Sequence, residues 1–128
     1  MHTVGDVMSG NLLTIEAATS LTEAAARMCD RDVGAILVVD GEQLTGILTE
    51  RDILRAVAQG KVADDVGGWM TPHPETVEAD EPTRQAASIM IHSGFRHLPV
   101  LEGLRPVGIV SIRDLMREVV ADESPRGA

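Results

Sequence analysis

The order of apolar and polar positions in the first half of the chain predicts an extended segment, a helix, two strands and a second helix. Thr14-Ile15 is the extended segment, and Ser20-Leu21-Thr22-Glu23 has the spacing of a capping box. Residues 35–39 and 44–49 are apolar runs around the turn pair Asp40-Gly41, which predicts a hairpin. The first helix is predicted from the apolar stripe Leu21, Ala24, Ala25 and Met28 and ends near Asp30. The second helix is predicted between Glu50 and Gly60, with the apolar stripe Ile53, Leu54 and Val57.

The second half of the chain predicts the same elements in the same order. Thr76-Val77 is extended, and a helix follows with Pro82 in its first turn and Gly94 at its end. Residues 97–101 and 107–111 are the predicted strands. The stripe of the last helix consists of Leu115, Met116, Val119 and Val120.

The two halves are copies of one unit at a constant offset of 62 residues, which aligns Val4 with Val66. We therefore predict an α+β fold of two β-α-β-β-α repeats that pack together with pseudo-twofold symmetry, since neither copy buries its apolar face alone. The predicted domains are residues 1–60 and 61–122, followed by a disordered tail, 123–128. The identical pairs include Gly5/Gly67, Met8/Met70, Ala24/Ala86, Met28/Met90, Gly46/Gly108, Arg51/Arg113, Asp52/Asp114 and Arg55/Arg117.

The charge of the chain argues against nucleic acid as a partner. The formal net charge is −9 and aromatic residues make up 2% of the sequence, whereas phosphate contacts need clustered cations and single strands need stacking platforms. No apolar run is long enough to span a membrane, and the start of the chain does not resemble a signal peptide. The single cysteine, Cys29, suits a reducing compartment, and its place in a helical pattern predicts burial. A cytoplasmic protein is expected.

Catalytic and metal-binding chemistry have little support in the sequence. The histidines are His2, His73, His92 and His97, with no spacing that indicates a catalytic triad, and no phosphate loop with a lysine occurs. Cys29 with His92 or His97 lacks zinc-type spacing. We therefore expect no enzyme, no metal site and no required cofactor.

Motifs in both copies resemble the cystathionine-beta-synthase (CBS) domain family. The first copy contributes residues 4–9, 21–28 and 46–52, and the second contributes Gly94-Phe95-Arg96-His97-Leu98-Pro99-Val100 and the segment 108–115. The resemblance covers all but the tail and has both sets of motifs in order. It implies a tandem pair, or Bateman module, of the kind that binds AMP, ADP, ATP or S-adenosylmethionine in clefts between two CBS domains.

The candidate ligand-binding residues lie where each second strand runs into the last helix of its repeat. Backbone N–H groups at such a helix start favour an anion, and the hydroxyls of Thr49 and Ser111 can donate to phosphate. Gly46 and Gly108 allow close backbone approach to a ligand. The alternative is that these hydroxyls are plain N-caps.

The family resemblance assigns ribose binding to the aspartate of this motif, Asp52 in the first copy and Asp114 in the second. A carboxylate can accept two hydrogen bonds, which matches a cis-diol. The alternative is that both aspartates only complement the start of a helix.

The second copy is predicted to bind the anion more tightly. The resemblance places Arg96 and His97 near phosphates, whereas the first copy has Gly34 and Ala35 there and carries Glu50 beside its site. Arg113, like Arg51, is either a phosphate contact or a solvated helix residue. The alternative is that Arg96 is a surface residue paired with an acidic side chain and that His97 is a histidine at a strand edge. These cations favour AMP, ADP or ATP over the cationic S-adenosylmethionine.

Two functions remain open from the sequence. The first is a regulatory module that senses an adenosine-containing ligand and signals to an unidentified effector protein. The second is a ligand-independent dimeric scaffold or stress-related interaction protein. In either case the resemblance implies a homodimer through the terminal helix of each repeat.

Overall fold

The computed structural model describes residues 2–122, and the predicted tail lies outside them. The predicted strands and helices are confirmed, with ends that shift by one or two residues. The first repeat begins with the short helix α1, and the second begins with a 3₁₀ helix, Val66–Gly68. The other elements are α1 (Val4–Val7), β1 (Thr14–Ile15), α2 (Leu21–Arg31), β2 (Ala35–Asp40), β3 (Gln43–Thr49), α3 (Glu50–Ala58), β4 (Thr71–Pro72), β5 (Val77–Glu78), α4 (Thr83–Ser93), β6 (His97–Glu102), β7 (Arg105–Ser111) and α5 (Ile112–Asp122).

One compact unit spans Leu13–Pro74 and is built on a four-stranded sheet in the order β1-β2-β3-β4. β1 is parallel to β2, and the β2–β3 hairpin is antiparallel. Gly41 takes a φ of 63° at the hairpin turn, which glycine adopts without a Cβ clash. Apolar side chains of the sheet pack with α2 and α3 in one core: Ile15, Leu21, Ala24, Met28, Ile36, Val38, Leu48 and Ala56.

The other unit combines the segment up to Leu12 with the chain from Glu75 onward. Its sheet has the order β5-β6-β7, again with one parallel pair and one antiparallel hairpin. The hairpins even share an irregularity, because the register shifts after Val38 in one and after Val100 in the other. The α+β class and the repeated arrangement of elements are therefore confirmed.

The opening segments are exchanged between the two repeats. Val66 and Gly67, which begin the second repeat, donate backbone hydrogen bonds to the carbonyls of Thr19 and Ala17. Conversely, Val4 donates to the carbonyl of Glu81 at 2.8 Å. The compact units thus differ from the domains 1–60 and 61–122, which stay a prediction about the sequence repeats. The segment 61–68, at the start of the second predicted domain, contains a 3₁₀ helix with a buried Val66.

Two details of the helices differ from the expectations. Cys29 is exposed, because it follows the buried Met28 by one position and so lies about 100° further round α2, beyond the apolar stripe. Pro82 is the residue that precedes α4 rather than part of its first turn. Gly94 ends α4 as predicted, with a φ of 80°. Within residues 2–122, no helix has the length and apolar character needed to cross a membrane.

Candidate functional site

Asp114 is held at the start of α5 by reciprocal hydrogen bonds with Ser111. The Ser111 backbone N–H donates to Asp114 Oδ2 at 2.8 Å, and the Asp114 N–H donates to Ser111 Oγ at 3.1 Å. Arg117, one turn later, donates from Nη1 to Asp114 Oδ1 at 3.0 Å. The Asp114 side chain is 11% exposed, so its carboxylate is fixed in place at the edge of the unit.

The β6–β7 register places the backbone of Arg96 and His97 next to the start of α5. His97 is paired with Ser111 across the hairpin, and the carbonyl of Arg96 accepts the N–H of Ile112 at 2.9 Å. Arg96 and Arg113 are exposed, and His97 is half-buried. The structure therefore brings the predicted residues Arg96, His97, Ser111, Arg113 and Asp114 together at one helix start.

The backbone amides of this helix start are less available than the sequence predicted. The N–H groups of Ile112 and Asp114 already have acceptors, the Arg96 carbonyl and the Ser111 hydroxyl. An anion at this site would therefore depend on side-chain cations and on the Ser111 hydroxyl proton. Arginine and histidine side chains are therefore the groups that would decide how tightly an anion binds here.

Asp52 occupies the equivalent position in the unit Leu13–Pro74, at the start of α3. The N–H and the Oγ1 of Thr49 both donate to Asp52 Oδ2, at 2.9 and 3.2 Å. Arg55 Nη1 donates to Asp52 Oδ1 at 3.0 Å, and the Asp52 side chain is only 7% exposed. Both carboxylate oxygens thus have protein donors.

This unit has no cationic side chains at the positions of Arg96 and His97, although Arg51 corresponds to Arg113. Ala35 pairs with Thr49, and the carbonyl of Gly34 accepts the N–H of Glu50 at 3.0 Å. These positions correspond to His97 and Arg96. Glu50 is exposed and adds a negative charge. The geometry around Asp52 is therefore less favourable for an anion than that around Asp114.

Sequence reasoning missed the arginines that pair with the two aspartates. Arg55 and Arg117 follow Asp52 and Asp114 by three positions, and this spacing places oppositely charged side chains on one helical face. Arginine occurs at this position in both repeats, and this repetition could have indicated the two ion pairs from the sequence. Arg55 has a further contact, since its guanidinium carbon lies 5.8 Å from the centre of the Trp69 ring.

Gly46 and Gly108 are buried against other segments of the chain rather than open to a ligand. An added Cβ at Gly108 would lie 2.6 Å from both the Met8 sulfur and the Ser9 carbonyl oxygen. An added Cβ at Gly46 would meet Met70 and the Thr71 carbonyl at 2.5 and 2.9 Å. The close backbone approach predicted for these glycines is thus explained by the exchanged opening segments.

The described part of the chain contains no group of three or more histidine, cysteine, aspartate or glutamate side chains that could hold a metal ion. Asp52 and Asp114 are each paired with an arginine. Around each aspartate, the carboxylate and a hydroxyl offer hydrogen bonds, and the arginine offers a positive charge.

Two relatives have sequences similar to this chain over most of their length. The chain is 33% identical over 130 residues to the CBS domain-containing protein YhcV of Bacillus subtilis, which covers 100% of this chain and 93% of YhcV. It is also 33% identical over 119 residues to a 17.7 kDa protein of Acidianus ambivalens, covering 91% of this chain and 73% of that protein.

Solved structures resemble the chain over nearly its whole length. The CBS domain pair of protein MJ0100 in complex with 5'-methylthioadenosine and S-adenosyl-L-methionine has a TM-score of 0.91 and 30% identity, and the match covers 96% of this chain and 99% of that one. CBSX2 in complex with AMP has a TM-score of 0.80 and 25% identity, over 94% and 98% of the two chains. The family model for the CBS domain matches residues 4–59 and 63–121. The chain therefore belongs to the CBS domain family and carries two copies of the domain.

Proposed function

We propose that this protein is a regulatory module that binds an adenine nucleotide, AMP, ADP or ATP, at the site around Asp114. The observation that carries the proposal is that the hairpin pairs His97 with Ser111 and Arg96 with Ile112, at the helix start where Ser111 holds the Asp114 carboxylate. Two structural neighbours are described as complexes with AMP and with S-adenosyl-L-methionine and 5'-methylthioadenosine, which supports an adenosine-containing ligand.

In this proposal the phosphate is bound by Arg96, His97 and Arg113, together with the Ser111 hydroxyl. Ser111 Oγ accepts the Asp114 N–H, which leaves its proton to donate to a phosphate oxygen. Charge-assisted hydrogen bonds of this kind are the stronger ones in proteins. A sulfonium ligand would meet the same cations unfavourably, so nucleotides are favoured over S-adenosylmethionine.

The ribose diol binds the Asp114 carboxylate in place of Arg117. Its two hydroxyls donate to the carboxylate oxygens, and the Arg117 guanidinium moves into solvent. The Arg117 side chain is 68% exposed, so water can solvate its guanidinium when the diol takes its place. Thr49 and Asp52 form a second, weaker site, because Glu50 and the absence of cations at positions 34 and 35 disfavour phosphate.

The proposed output is a signal to an effector protein rather than a chemical reaction. A ligand shifts a conformational equilibrium only when its affinity for the two states differs, and a partner that recognises one state then responds to nucleotide concentration. We propose that the protein does this in the cytoplasm, without catalysis and without a required cofactor.

Isothermal titration calorimetry tests the proposed function. Nucleotide-stripped protein is titrated with AMP, ADP, ATP and S-adenosylmethionine, and Asp114→Ala is titrated in parallel. Micromolar binding of at least one nucleotide is expected, with strong weakening in the variant. Thermal unfolding of both proteins checks that the variant is folded, because Asp114 also caps α5.

A ligand-independent dimeric scaffold, or a stress-related interaction protein, is the alternative function. One observation favours it: protein groups donate hydrogen bonds to both carboxylate oxygens of Asp52 and of Asp114. Absence of binding heat for the whole panel would support this alternative and contradict the nucleotide module.

We further propose a homodimer through the last helix of each repeat. Ile53 and Leu115 pack in the cores of their units, but the rest of each predicted stripe is exposed. On α5 an open depression of about 330 Å³ is lined by Arg113, Met116, Arg117 and Val120. The exposed apolar residues of the two stripes are Leu54, Val57, Met116, Val119 and Val120.

The substitution Met116→Glu is expected to shift the protein from dimer to monomer, because a carboxylate is costly to bury in an apolar interface. Analytical ultracentrifugation at several concentrations measures the mass. Ile91→Glu is the control, since Ile91 is also an exposed apolar residue, on α4 and outside the proposed interface. Equal masses for the two variants would contradict this dimer.

A further inference from the structure

The two aspartate sites differ in how firmly their arginines are held. Arg55 and Arg117 make the same 3.0 Å contact with their aspartates. Arg55, however, also lies over the ring of Trp69. The repeat offset aligns Trp69 with Val7, which has no aromatic face. Among the side chains of residues 2–120, the guanidinium of Arg55 therefore has two partners and that of Arg117 has one.

Trp69 is itself held in place from two sides. Its ring packs against the core of the unit Leu13–Pro74, and its Nε1–H donates to Asp64 Oδ2 at 3.0 Å. A ring fixed in this way offers its face to Arg55 without losing further rotamer freedom. Such a cation–π contact contributes about 0.5–1 kcal/mol at an exposed site, and Arg55 is 58% exposed.

We propose that Trp69 is a latch that holds Arg55 on Asp52 and thereby lowers the affinity of the Asp52 site for nucleotide. This inference rests on the proposed function, in which a ribose diol displaces an arginine from the carboxylate. At Asp52 the incoming diol must break the ion pair and the aromatic contact together. At Asp114 it breaks the ion pair alone, so occupancy of the two sites is sequential.

The latch provides its own spectroscopic signal. Trp69 is the only tryptophan of the chain, and the chain has no tyrosine. A guanidinium close to an indole ring perturbs its excited state, so the emission of Trp69 reports whether Arg55 is in place. Binding at Asp52 is expected to change this emission, and binding at Asp114 alone is not.

The first part of the test uses no ligand. Arg55→Met is expected to change the emission maximum or intensity of Trp69. Arg27→Met is the control, because it removes an exposed ion pair with Glu23 in the same unit. Equal spectra for wild type and Arg55→Met would overturn the latch itself, whatever the protein binds.

The second part measures affinity for AMP by calorimetry in an Asp114→Ala background, which removes the tighter site. Trp69→Val, which copies the other repeat, is expected to raise the affinity of the remaining site about two- to fivefold. Trp69→Leu keeps more of the apolar packing and serves if the valine variant is poorly folded. Unchanged or weaker binding with measurable heat would overturn the latch alone. Absence of heat in wild type and in every variant would overturn the proposed function as well.

Discussion

Replacing Asp114 by asparagine is expected to weaken AMP binding about tenfold or more, whereas the same change at Asp52 leaves the tighter site intact. The Asp114 carboxylate would accept both ribose hydroxyls, and hydrogen bonds to a charged group contribute about 1.5–3 kcal/mol each. An amide has only one oxygen and no charge, so at least one of these bonds is weakened or lost. A loss of about 1.4 kcal/mol already corresponds to tenfold in affinity.

Asparagine is the sharper substitution because it preserves the local fold. Its side-chain oxygen can still accept the Ser111 N–H, which now donates to Asp114 Oδ2. Calorimetric titration of Asp114→Asn and Asp52→Asn with AMP measures the two effects, and thermal unfolding shows whether both variants remain folded. A larger affinity loss from the Asp52 change would contradict our assignment of the tighter site.

Replacing Gly108 by alanine is expected to destabilise the protein by about 2–4 kcal/mol. The new Cβ would lie 2.6 Å from the Ser9 carbonyl oxygen, and this contact is with backbone that has little freedom to move. Ser9 and Ile109 exchange two backbone hydrogen bonds there, at 2.9 and 3.1 Å. Overpacking costs about 1–3 kcal/mol, and each lost hydrogen bond adds about 1 kcal/mol.

Urea denaturation measures this effect as a fall in the free energy of unfolding. Gly10→Ala is the matched control, because nothing lies within 4 Å of the position where its Cβ would be. The control is expected to change stability by less than about 0.5 kcal/mol. Similar unfolding curves for wild type and Gly108→Ala would contradict the packing of the opening segment against β7.

Most of the secondary structure was predictable because it depends on local patterns. The hairpins follow from apolar runs around turn pairs, and the helix stripes follow from a period of 3.6 residues. The repeat supported each prediction a second time, since each strand or helix has a counterpart at the same offset. Element ends were harder to predict: Pro82, for example, is expected in the first turn of α4 but is the residue just before it.

The composition of the candidate site was also predictable in large part. Ser111 and Asp114 have the spacing of a capping pair, and the hairpin register places the backbone of Arg96 and His97 next to Ser111 and Ile112. The roles of Arg55 and Trp69 were not predictable. Their contact joins residues from two elements, and no spacing rule indicates which ring a given arginine will approach.

The sequence by itself determined the repeat, the order of strands and helices, and the side chains that distinguish the two candidate sites. Only the tertiary structure decided that the opening segments exchange between repeats, that Gly46 and Gly108 accommodate those segments, and that Arg55 lies over Trp69. The physical reason is the separation along the chain over which each interaction acts. Periodicity and capping act within a few residues, whereas packing partners are selected by the fit of surfaces that the folded chain brings together.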